Sequence, residues 1–256
     1  EIALVSTIRA LGKTFGFFAV TLTFLFCLWI GYAFLFISRY SAEAWRIKIV
    51  RSWARAICHM LGMKIHVTGT PPKPPFFLVS NHLSYIDIIL FFSLSDCIFV
   101  AKSEVSNWPF IGYLAKTAGT LFINRKQYRD IPRVNHLIRE VIGVHQGVLL
   151  FPEGTSSAGE EILPFKPSLL QLPAEDNLEV CCAAIQYAAL GGYPDAATSI
   201  CWWGDMTFAD HLWMLFKFPG FEARISFSDK TARGKNRKSI AGKAEEIVKY
   251  EFQKIN

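Results

Sequence analysis

The sequence lacks several patterns that would place it in a common class of protein. No C-x-x-C pair occurs among its six cysteines, and one of them, Cys27, lies in a long apolar run. We therefore expect reduced cysteines in a cytosolic compartment, with neither disulfides nor a zinc site. The histidines form no metal-ligand motif with cysteines or carboxylates, so no metal site is predicted. No internal repeat or low-complexity tract occurs, which argues against a repeat architecture.

Two common catalytic motifs are also missing. There is no G-x-S-x-G turn, which presents the nucleophile of many serine hydrolases. The tripeptide Gly12-Lys13-Thr14 has the end of a phosphate-binding loop, but the upstream glycine is missing and the tripeptide adjoins the apolar run. A serine hydrolase and a P-loop nucleotide-binding protein are therefore poor interpretations.

Apolar and basic residues are abundant instead. Hydrophobic residues make up 52% of the 256 residues, and 22 phenylalanines raise the aromatic share to 14%, which indicates contact with a bilayer. The formal charge of +6 would attract either nucleic acid or an anionic lipid surface. Because the composition is apolar and no nucleic-acid-binding motif occurs, we expect membrane lipids and no nucleic acid among the partners.

A run of 25 uncharged residues, 14–38, predicts a membrane segment. A helix of this length crosses a hydrocarbon core about 30 Å thick. The run is too long for the apolar part of a signal peptide, which is the competing interpretation. Basic residues are more numerous after the run than before it, which places the following domain on the cytoplasmic face. Because both flanks are basic, a helix that enters one leaflet and returns, or lies in the interface, remains an alternative.

Residues 42–61 alternate tryptophan and isoleucine with cations, a pattern typical of an amphipathic helix. Such a helix lies either on anionic lipid headgroups or against the protein core, and the sequence leaves both arrangements open. We therefore assign residues 1–62 to an N-terminal membrane-anchoring helical region.

After a turn-rich stretch at residues 69–75, short apolar runs alternate with helical patterns. Strands are predicted at residues 76–79, 98–101, 120–123, 148–151, 180–187 and 223–227, and helices at 85–94, 131–145 and 235–254. This alternation predicts an α/β domain with a mostly parallel sheet flanked by helices. We assign the domain to residues 63–256.

The first polar cluster, with Asn81, His82 and Asp87, follows the strand predicted at residues 76–79. In open α/β sheets, groups just past the carboxyl end of a strand face the ligand crevice. A neutral His82 imidazole there can accept a proton from a hydroxyl group, and the Asp87 carboxylate can orient the ring and stabilise its charged form. Ser84 and Asp87 also have the spacing of a helix capping box, which is compatible with that role.

Two further polar clusters follow later strands. Arg125 can hold a phosphate through its planar group of donors, although a surface arginine is the simpler interpretation. Glu153, Gly154 and Thr155 follow the strand at residues 148–151. Gly154 permits a turn with positive φ, and Glu153 can accept hydrogen bonds from substrate hydroxyls, whereas a plain strand-to-loop turn is the alternative.

Together these clusters resemble the motifs of the glycerolipid acyltransferase family, which includes 1-acyl-sn-glycerol-3-phosphate and lysophospholipid acyltransferases. N-H-x-x-x-x-D at residues 81–87, G-x-x-F-I-x-R at 119–125 and F-P-E-G-T at 151–155 occur in the family's order. Residues 101–104 and 108–112 also look like the family's segment between the first two motifs. The resemblance covers about residues 64 to 190.

The resemblance implies transfer of a fatty acyl group from acyl-CoA or acyl-carrier protein to the free hydroxyl of a lysophospholipid, with 1-acyl-glycerol-3-phosphate as the expected acceptor. His82 would be the base and Asp87 its orienting partner, and the developing negative charge would meet backbone N–H groups after His82 or nearby cations. No cofactor is implied, because the acyl donor is a substrate. The resemblance assigns substrate binding to Asn81, Lys102, Arg125, Glu153, Gly154 and Thr155.

One departure from the family's pattern concerns the acceptor. Ser156 stands where the third motif often continues with arginine, and Pro167 follows Phe165-Lys166 where glycine is usual. With one cation fewer, a lysophospholipid with a larger head group or a lyso-aminolipid is an alternative acceptor. A non-catalytic membrane lipid-binding protein is the alternative of a different class, but it would not explain polar residues at the ends of three strands.

Overall fold

A computed structural model describes residues 2–35, 39–124, 130–143 and 145–255 of the chain. In these residues seven strands form one sheet, in the order β1-β7-β6-β2-β5-β3-β4. The strands are β1 (Met63–Thr68), β2 (Phe77–Ser80), β3 (Cys97–Lys102), β4 (Leu121–Ile123), β5 (Gly147–Leu150), β6 (Val180–Ala189) and β7 (Phe221–Ala232). Neighbouring strands from β6 through β4 are parallel. The predicted α/β fold with a mostly parallel sheet is therefore confirmed.

Helices cover both faces of the sheet. They are α1 (Ile2–Leu35), α2 (Arg39–Leu61), α3 (Ile86–Leu94), α4 (Ile111–Thr117), α5 (Asp130–Val141), α6 (Gln171–Glu175), α7 (Ala196–Ser199), α8 (Phe208–Lys217) and α9 (Arg237–Ile255). One core cluster joins α1, α2, α3, α4 and α8 to one face, and the other joins α5, α6 and α9 to the opposite face. Because both faces are covered, central strands such as β2 are continuous apolar runs.

The second half of the sheet departs from a purely parallel arrangement. β7 pairs antiparallel with β6 and parallel with β1, so β1 and β7 run opposite to the other five strands. An apolar run predicts a buried strand but carries no information on its direction. β1 and the helices α4, α6, α7 and α8 were not predicted, and α5 ends at Val141, four residues before the predicted helix end.

Helix α1 is long and apolar enough to cross a membrane, and within the described residues it is the one helix that meets this criterion. It begins at Ile2, before the uncharged run, and the two cations of this first part, Arg9 and Lys13, have partners inside the fold. Lys13 Nζ donates to the carbonyl oxygens of Leu61 and Phe218, at 2.8 Å each, and Arg9 donates to that of Lys217 at 2.7 Å. The two cations thus bind carbonyls at the C-terminal ends of α2 and α8, where a helix dipole favours positive charge.

Helix α2 lies between α1 and the α/β sheet. The Trp53 indole donates to Thr21 Oγ1 at 3.1 Å, and the Trp45 indole packs so closely on Gly31 that a Cβ at residue 31 would overlap it. On the other side, Arg51 and Arg55 donate to main-chain carbonyls at the end of α3. From the sequence, these cations could have faced either lipid headgroups or the protein core. In the structure, Arg51 and Arg55 bind the protein's own main chain.

Candidate active site

His82 lies in the short segment between the end of β2 and the start of α3. Its Nδ1 atom is 2.7 Å from Asp87 Oδ2, and its side chain keeps about a fifth of its surface exposed while Asp87 is fully buried. Because the carboxylate is an acceptor, it fixes the tautomer with hydrogen on Nδ1. Nε2 is then the ring nitrogen left to accept a proton from a substrate hydroxyl.

Asp87 receives hydrogen bonds from four groups. Besides His82 Nδ1, the main-chain N–H groups of Leu83 and Ser84 donate to Oδ2 at 2.7 and 3.0 Å, and the Tyr187 hydroxyl donates to Oδ1 at 2.8 Å. Four donors around one buried carboxyl group are the environment of an ionised carboxylate. Asp87 thus accepts the Ser84 N–H, as in one half of the predicted capping box, and also orients the imidazole. The other half is not formed, because the Ser84 hydroxyl has no hydrogen-bond partner among the described residues.

The His82 ring is also held from its face. Phe151, directly after β5, stacks on the imidazole with ring centroids 4.1 Å apart and an angle of 10° between the planes. The stacking and the bond to Asp87 together leave the imidazole little freedom to rotate, so the position of its Nε2 atom is fixed.

Two loops clamp the segment that carries His82. Ser157 N–H donates to the His82 carbonyl at 3.0 Å, and Trp202 N–H donates to the Leu83 carbonyl at 2.8 Å. The Ser156 hydroxyl in turn donates to the Trp202 carbonyl and joins the two loops. Ser156 therefore has a structural partner of its own at the position where the third motif of the resembled family would lead one to expect arginine.

His82 opens onto a cavity of about 310 Å³ at the carboxyl ends of β2, β3 and β5. Four of the predicted site residues line it: His82, Lys102, Gly154 and Thr155. Gly154 has φ of +75°, the region that favours glycine, so the turn after β5 forms there without strain. Glu104 and Ser156 line the same cavity, and Arg125 lies outside the described residues.

Asn81 and Glu153 lie behind the cavity rather than in its wall. The Asn81 amide donates to the Ile185 carbonyl at 2.9 Å and accepts from the Ile185 N–H at 2.8 Å, which ties the end of β2 to β6. Glu153 is 2% exposed, and its Oε1 accepts the His82 main-chain N–H at 3.3 Å. Both side chains support the His82 segment, and direct contact with substrate stays a prediction for each.

The Glu153 carboxyl group is more basic than usual. Burial raises its pKa to about 8, with smaller contributions from the negative charges of Asp87 and Glu245, while its hydrogen bond from His82 acts in the opposite direction. Its Oε2 atom is buried and has no hydrogen-bond partner among the described residues. Near pH 7 the group is therefore mostly protonated, which avoids a second negative charge beside Asp87.

A second, apolar cavity of about 150 Å³ adjoins the first. Its wall comes from α1, α2, α3, α4 and α8, and it includes Phe17 and Phe24 of the candidate membrane helix. The residues that line both cavities are Tyr85, Ile88, Ala101, Val105, Ile111 and Phe208. The cavity at the imidazole, whose wall includes a few charged and polar side chains, thus borders an almost entirely apolar space that reaches α1.

Sequence reasoning missed the aromatic residues around the site. Tyr85, Trp108, Trp202 and Phe208 form a cluster of edge-on and tilted ring contacts in the cavity wall. The adjacent pair Trp202-Trp203 is a local signal, but such a pair is equally typical of ordinary buried packing. Its place beside His82 depends on contacts between segments about 120 residues apart.

Comparisons with known proteins agree with this geometry. The profile of the family described as Acyltransferase matches residues 64–186. A lyso-ornithine lipid O-acyltransferase of Pseudomonas aeruginosa is 32% identical over 205 residues, which cover 80% of this chain and 78% of the relative. A 1-acyl-sn-glycerol-3-phosphate acyltransferase of Neisseria meningitidis serogroup B is 29% identical and covers 80% of each chain.

The fold is also known from crystallography. The 1-acyl-sn-glycerophosphate acyltransferase PlsC of Thermotoga maritima superposes with a TM-score of 0.72 over 97% of both chains, at 20% sequence identity. This likeness includes the N-terminal helices, since it extends over nearly the whole chain.

The buried acid Glu153 generates a prediction for stability. The unfolded chain ionises this group near its usual pKa of 4.5, whereas the folded chain keeps the proton up to about pH 8. The folded state then binds more protons, so its stability falls as pH rises between these values, by at most about 5 kcal/mol. The side chain of Glu153→Gln does not titrate in this range, so its free energy of unfolding does not carry this loss. From pH 5 to pH 8 the stability of Glu153→Gln should therefore rise steadily relative to that of the native protein.

Thermal unfolding of both proteins in detergent across this range measures the difference. Exposed Glu246→Gln on α9 is the matched control and should leave the pH profile unchanged. Parallel profiles for the native protein and Glu153→Gln would show that Glu153 is ionised in the folded state.

Proposed function

The chain belongs to the acyltransferase family and is an O-acyltransferase of the 1-acylglycerol-3-phosphate type, and we propose that His82 is the base that activates the acceptor hydroxyl. One observation carries this proposal: an oriented imidazole, paired with a buried carboxylate 2.7 Å away, lines a cavity at the carboxyl end of the sheet. The acceptor is the free hydroxyl of a lysolipid, and the acyl donor is an acyl thioester of CoA or of acyl-carrier protein.

The proposed reaction is a direct transfer. His82 Nε2 takes the hydroxyl proton as the hydroxyl oxygen attacks the thioester carbonyl carbon. The carbon–sulfur bond then breaks, and the protonated imidazole gives the proton to the departing thiolate. Asp87 stabilises the imidazolium between these two events without accepting a proton itself.

Negative charge develops on the carbonyl oxygen during attack. The N–H groups of Leu83 and Ser84 already donate to Asp87, so they are not available to this oxygen. Lys102, a cation that lines the same cavity, is the group that we propose to stabilise this charge.

Loss of the base gives the first test of this mechanism. His82→Ala should lower kcat about 10²–10⁴-fold, the usual range for a general base, and Asp87→Asn should also lower it strongly because the tautomer is no longer fixed. Transfer of labelled acyl groups by detergent-solubilised enzyme measures the effect. His136→Ala, an exposed histidine on α5, is the matched control. A loss below about threefold in folded His82→Ala would rule out this role.

The acyl chain of the donor needs an apolar site next to His82. We propose that it extends from the thioester at His82 into the apolar cavity between α1, α2, α3, α4 and α8. In this arrangement the polar carbonyl would lie in the first cavity and the hydrocarbon in the second, which is the division that a fatty acyl thioester requires.

For the acceptor, the cavity favours a zwitterionic lyso-aminolipid. Lys102 and Glu104, of opposite charge, both line it, and the neutral Ser156 donates to the Trp202 carbonyl. A head group that carries an amino group and a carboxylate complements this pair better than a phosphate with two negative charges. The relatives from Pseudomonas aeruginosa and Rhizobium meliloti are named as lyso-ornithine lipid O-acyltransferases.

The second candidate acceptor is 1-acyl-glycerol-3-phosphate, as first expected from the sequence. Lys102 in the cavity, together with Arg125, would supply its phosphate site. The relative from Neisseria meningitidis is named for this substrate.

A panel of acceptors distinguishes the two. We expect kcat/KM for lyso-ornithine lipid to exceed that for 1-acyl-glycerol-3-phosphate by about tenfold or more, the effect of one charged contact. Glu104→Gln should reduce this ratio, because it removes the charge that faces the amino group, while transfer to the phosphate acceptor is retained. Preference for 1-acyl-glycerol-3-phosphate by the native enzyme would assign the phosphate acceptor instead.

We also propose that residues 1–62 hold the catalytic domain at the membrane on its cytoplasmic face. The outward side of α1 exposes large apolar residues, among them Leu4, Ile8, Leu11, Phe15, Phe18, Leu22, Phe26, Trp29 and Phe34. Its other side packs on α2 and α8, so one face is free for lipid. The excess of basic residues after α1 favours the cytoplasmic face.

Replacement of two exposed phenylalanines tests this anchor. Phe15 and Phe26 are 77% and 65% exposed, so their burial in the fold is small and their proposed contact is with lipid. Phe15→Ser with Phe26→Ser should weaken partition into anionic vesicles at least about tenfold, given the energy of burying apolar side chains. Co-sedimentation measures this, with exposed Tyr250→Ser on α9 as control. Unchanged partition would contradict contact between this face and lipid.

A further inference from the structure

Tyr85 lies at the boundary between the two cavities, immediately before α3. It lines both of them, and its ring contacts Phe208 and Trp202 at centroid distances of 4.8 and 5.8 Å. Its hydroxyl group is 2.9 Å from Nδ1 of His211 on α8. The ring is therefore fixed at its base by the backbone and at its tip by a second helix.

The hydroxyl group is what distinguishes this residue in the shared wall. The other residues that line both cavities are Ile88, Ala101, Val105, Ile111 and Phe208, none of which has a polar side chain. A phenylalanine would fill the same volume, and a buried hydroxyl costs free energy unless it is hydrogen-bonded. The bond to His211 offsets that cost, and its effect is to hold the ring in one orientation.

His211 is suited to hold the ring. It is 3% exposed, and its burial lowers its pKa, so it is a neutral hydrogen-bond partner at pH 7. Its helix, α8, also contacts α1, since Phe17 and Phe216 pack at 6.3 Å and Arg9 binds the carbonyl of Lys217. The orientation of Tyr85 is thus connected to the helix that forms the far wall of the apolar cavity.

We propose that Tyr85, held by His211, is a specificity-determining residue that sets the width of the passage between the catalytic cavity and the apolar cavity. It thereby selects the acyl chain of the donor by length and width. A fixed ring at this place admits a slender chain to a defined depth, whereas a ring free to rotate admits chains of several shapes. This inference rests on the proposed function, because it assigns the apolar cavity to the donor chain.

Competition between donors tests the proposal. Native enzyme, Tyr85→Phe, Tyr85→Ala and His211→Phe receive mixtures of acyl-CoA with chains from 8 to 18 carbons, saturated and cis-unsaturated, and the acylated products are quantified. Two methylene groups of buried chain discriminate by up to about 15-fold. In Tyr85→Phe and His211→Phe this discrimination should fall to about threefold or less, because the ring is no longer fixed. Tyr85→Ala should shift the preference toward longer or kinked chains.

Controls separate selectivity from general damage. Tyr250→Phe, an exposed tyrosine on α9, should keep the native chain profile. Thermal unfolding of each variant shows that it is folded.

Two outcomes distinguish failure of this proposal from failure of the proposed function. If all chain lengths lose activity by the same factor in Tyr85→Phe and His211→Phe, the pair is merely structural and the proposal is wrong. If native enzyme transfers no acyl group to any lysolipid from either donor, the proposed function fails instead.

Discussion

The arrangement of the site depends on one buried negative charge. Asp87 is fully buried, and such a charge is stable only where donors replace the water that it has lost. Those donors come from the imidazole, from two main-chain N–H groups of the next turn and from Tyr187 on β6. Satisfying the carboxylate therefore fixes the loop after β2, the start of α3 and the orientation of His82 together. The geometry of the candidate site therefore follows from a requirement of folding.

Around this charge, the remaining polar side chains act mainly as supports. Asn81 joins the end of β2 to the main chain of β6, and Glu153 accepts the N–H of His82 itself. The loops at Ser157 and Trp202 bind the carbonyls of His82 and Leu83. Main-chain groups on both sides of the imidazole are thus occupied, which leaves its Nε2 atom and the cavity wall for chemistry.

What the sequence predicted well was local in the chain. The apolar run of β2 and the short spacing from His82 to Asp87 lie within one strand, turn and helix, so their geometry follows from the run and the spacing alone. The wall around Tyr85 was not predictable, because it joins Trp202, Phe208 and His211 to a residue more than 115 positions earlier. The direction of β7 and the rear position of Glu153 were hidden for the same reason. Arg125 was predicted from an equally local motif, as a substrate-binding residue, and it lies outside the described residues.

Helix α1 has two apolar faces with different neighbours. The outer face carries Phe15 and Phe26, whereas the inner face supplies Phe17 and Phe24 to the cavity beside the imidazole. For protein engineering, this means that a water-soluble version of the enzyme cannot be obtained by deleting α1, since the deletion would open the cavity and uncover Trp53 and Ile57 of α2. Solubility has to come from changing the outer face residue by residue while the inner face is kept.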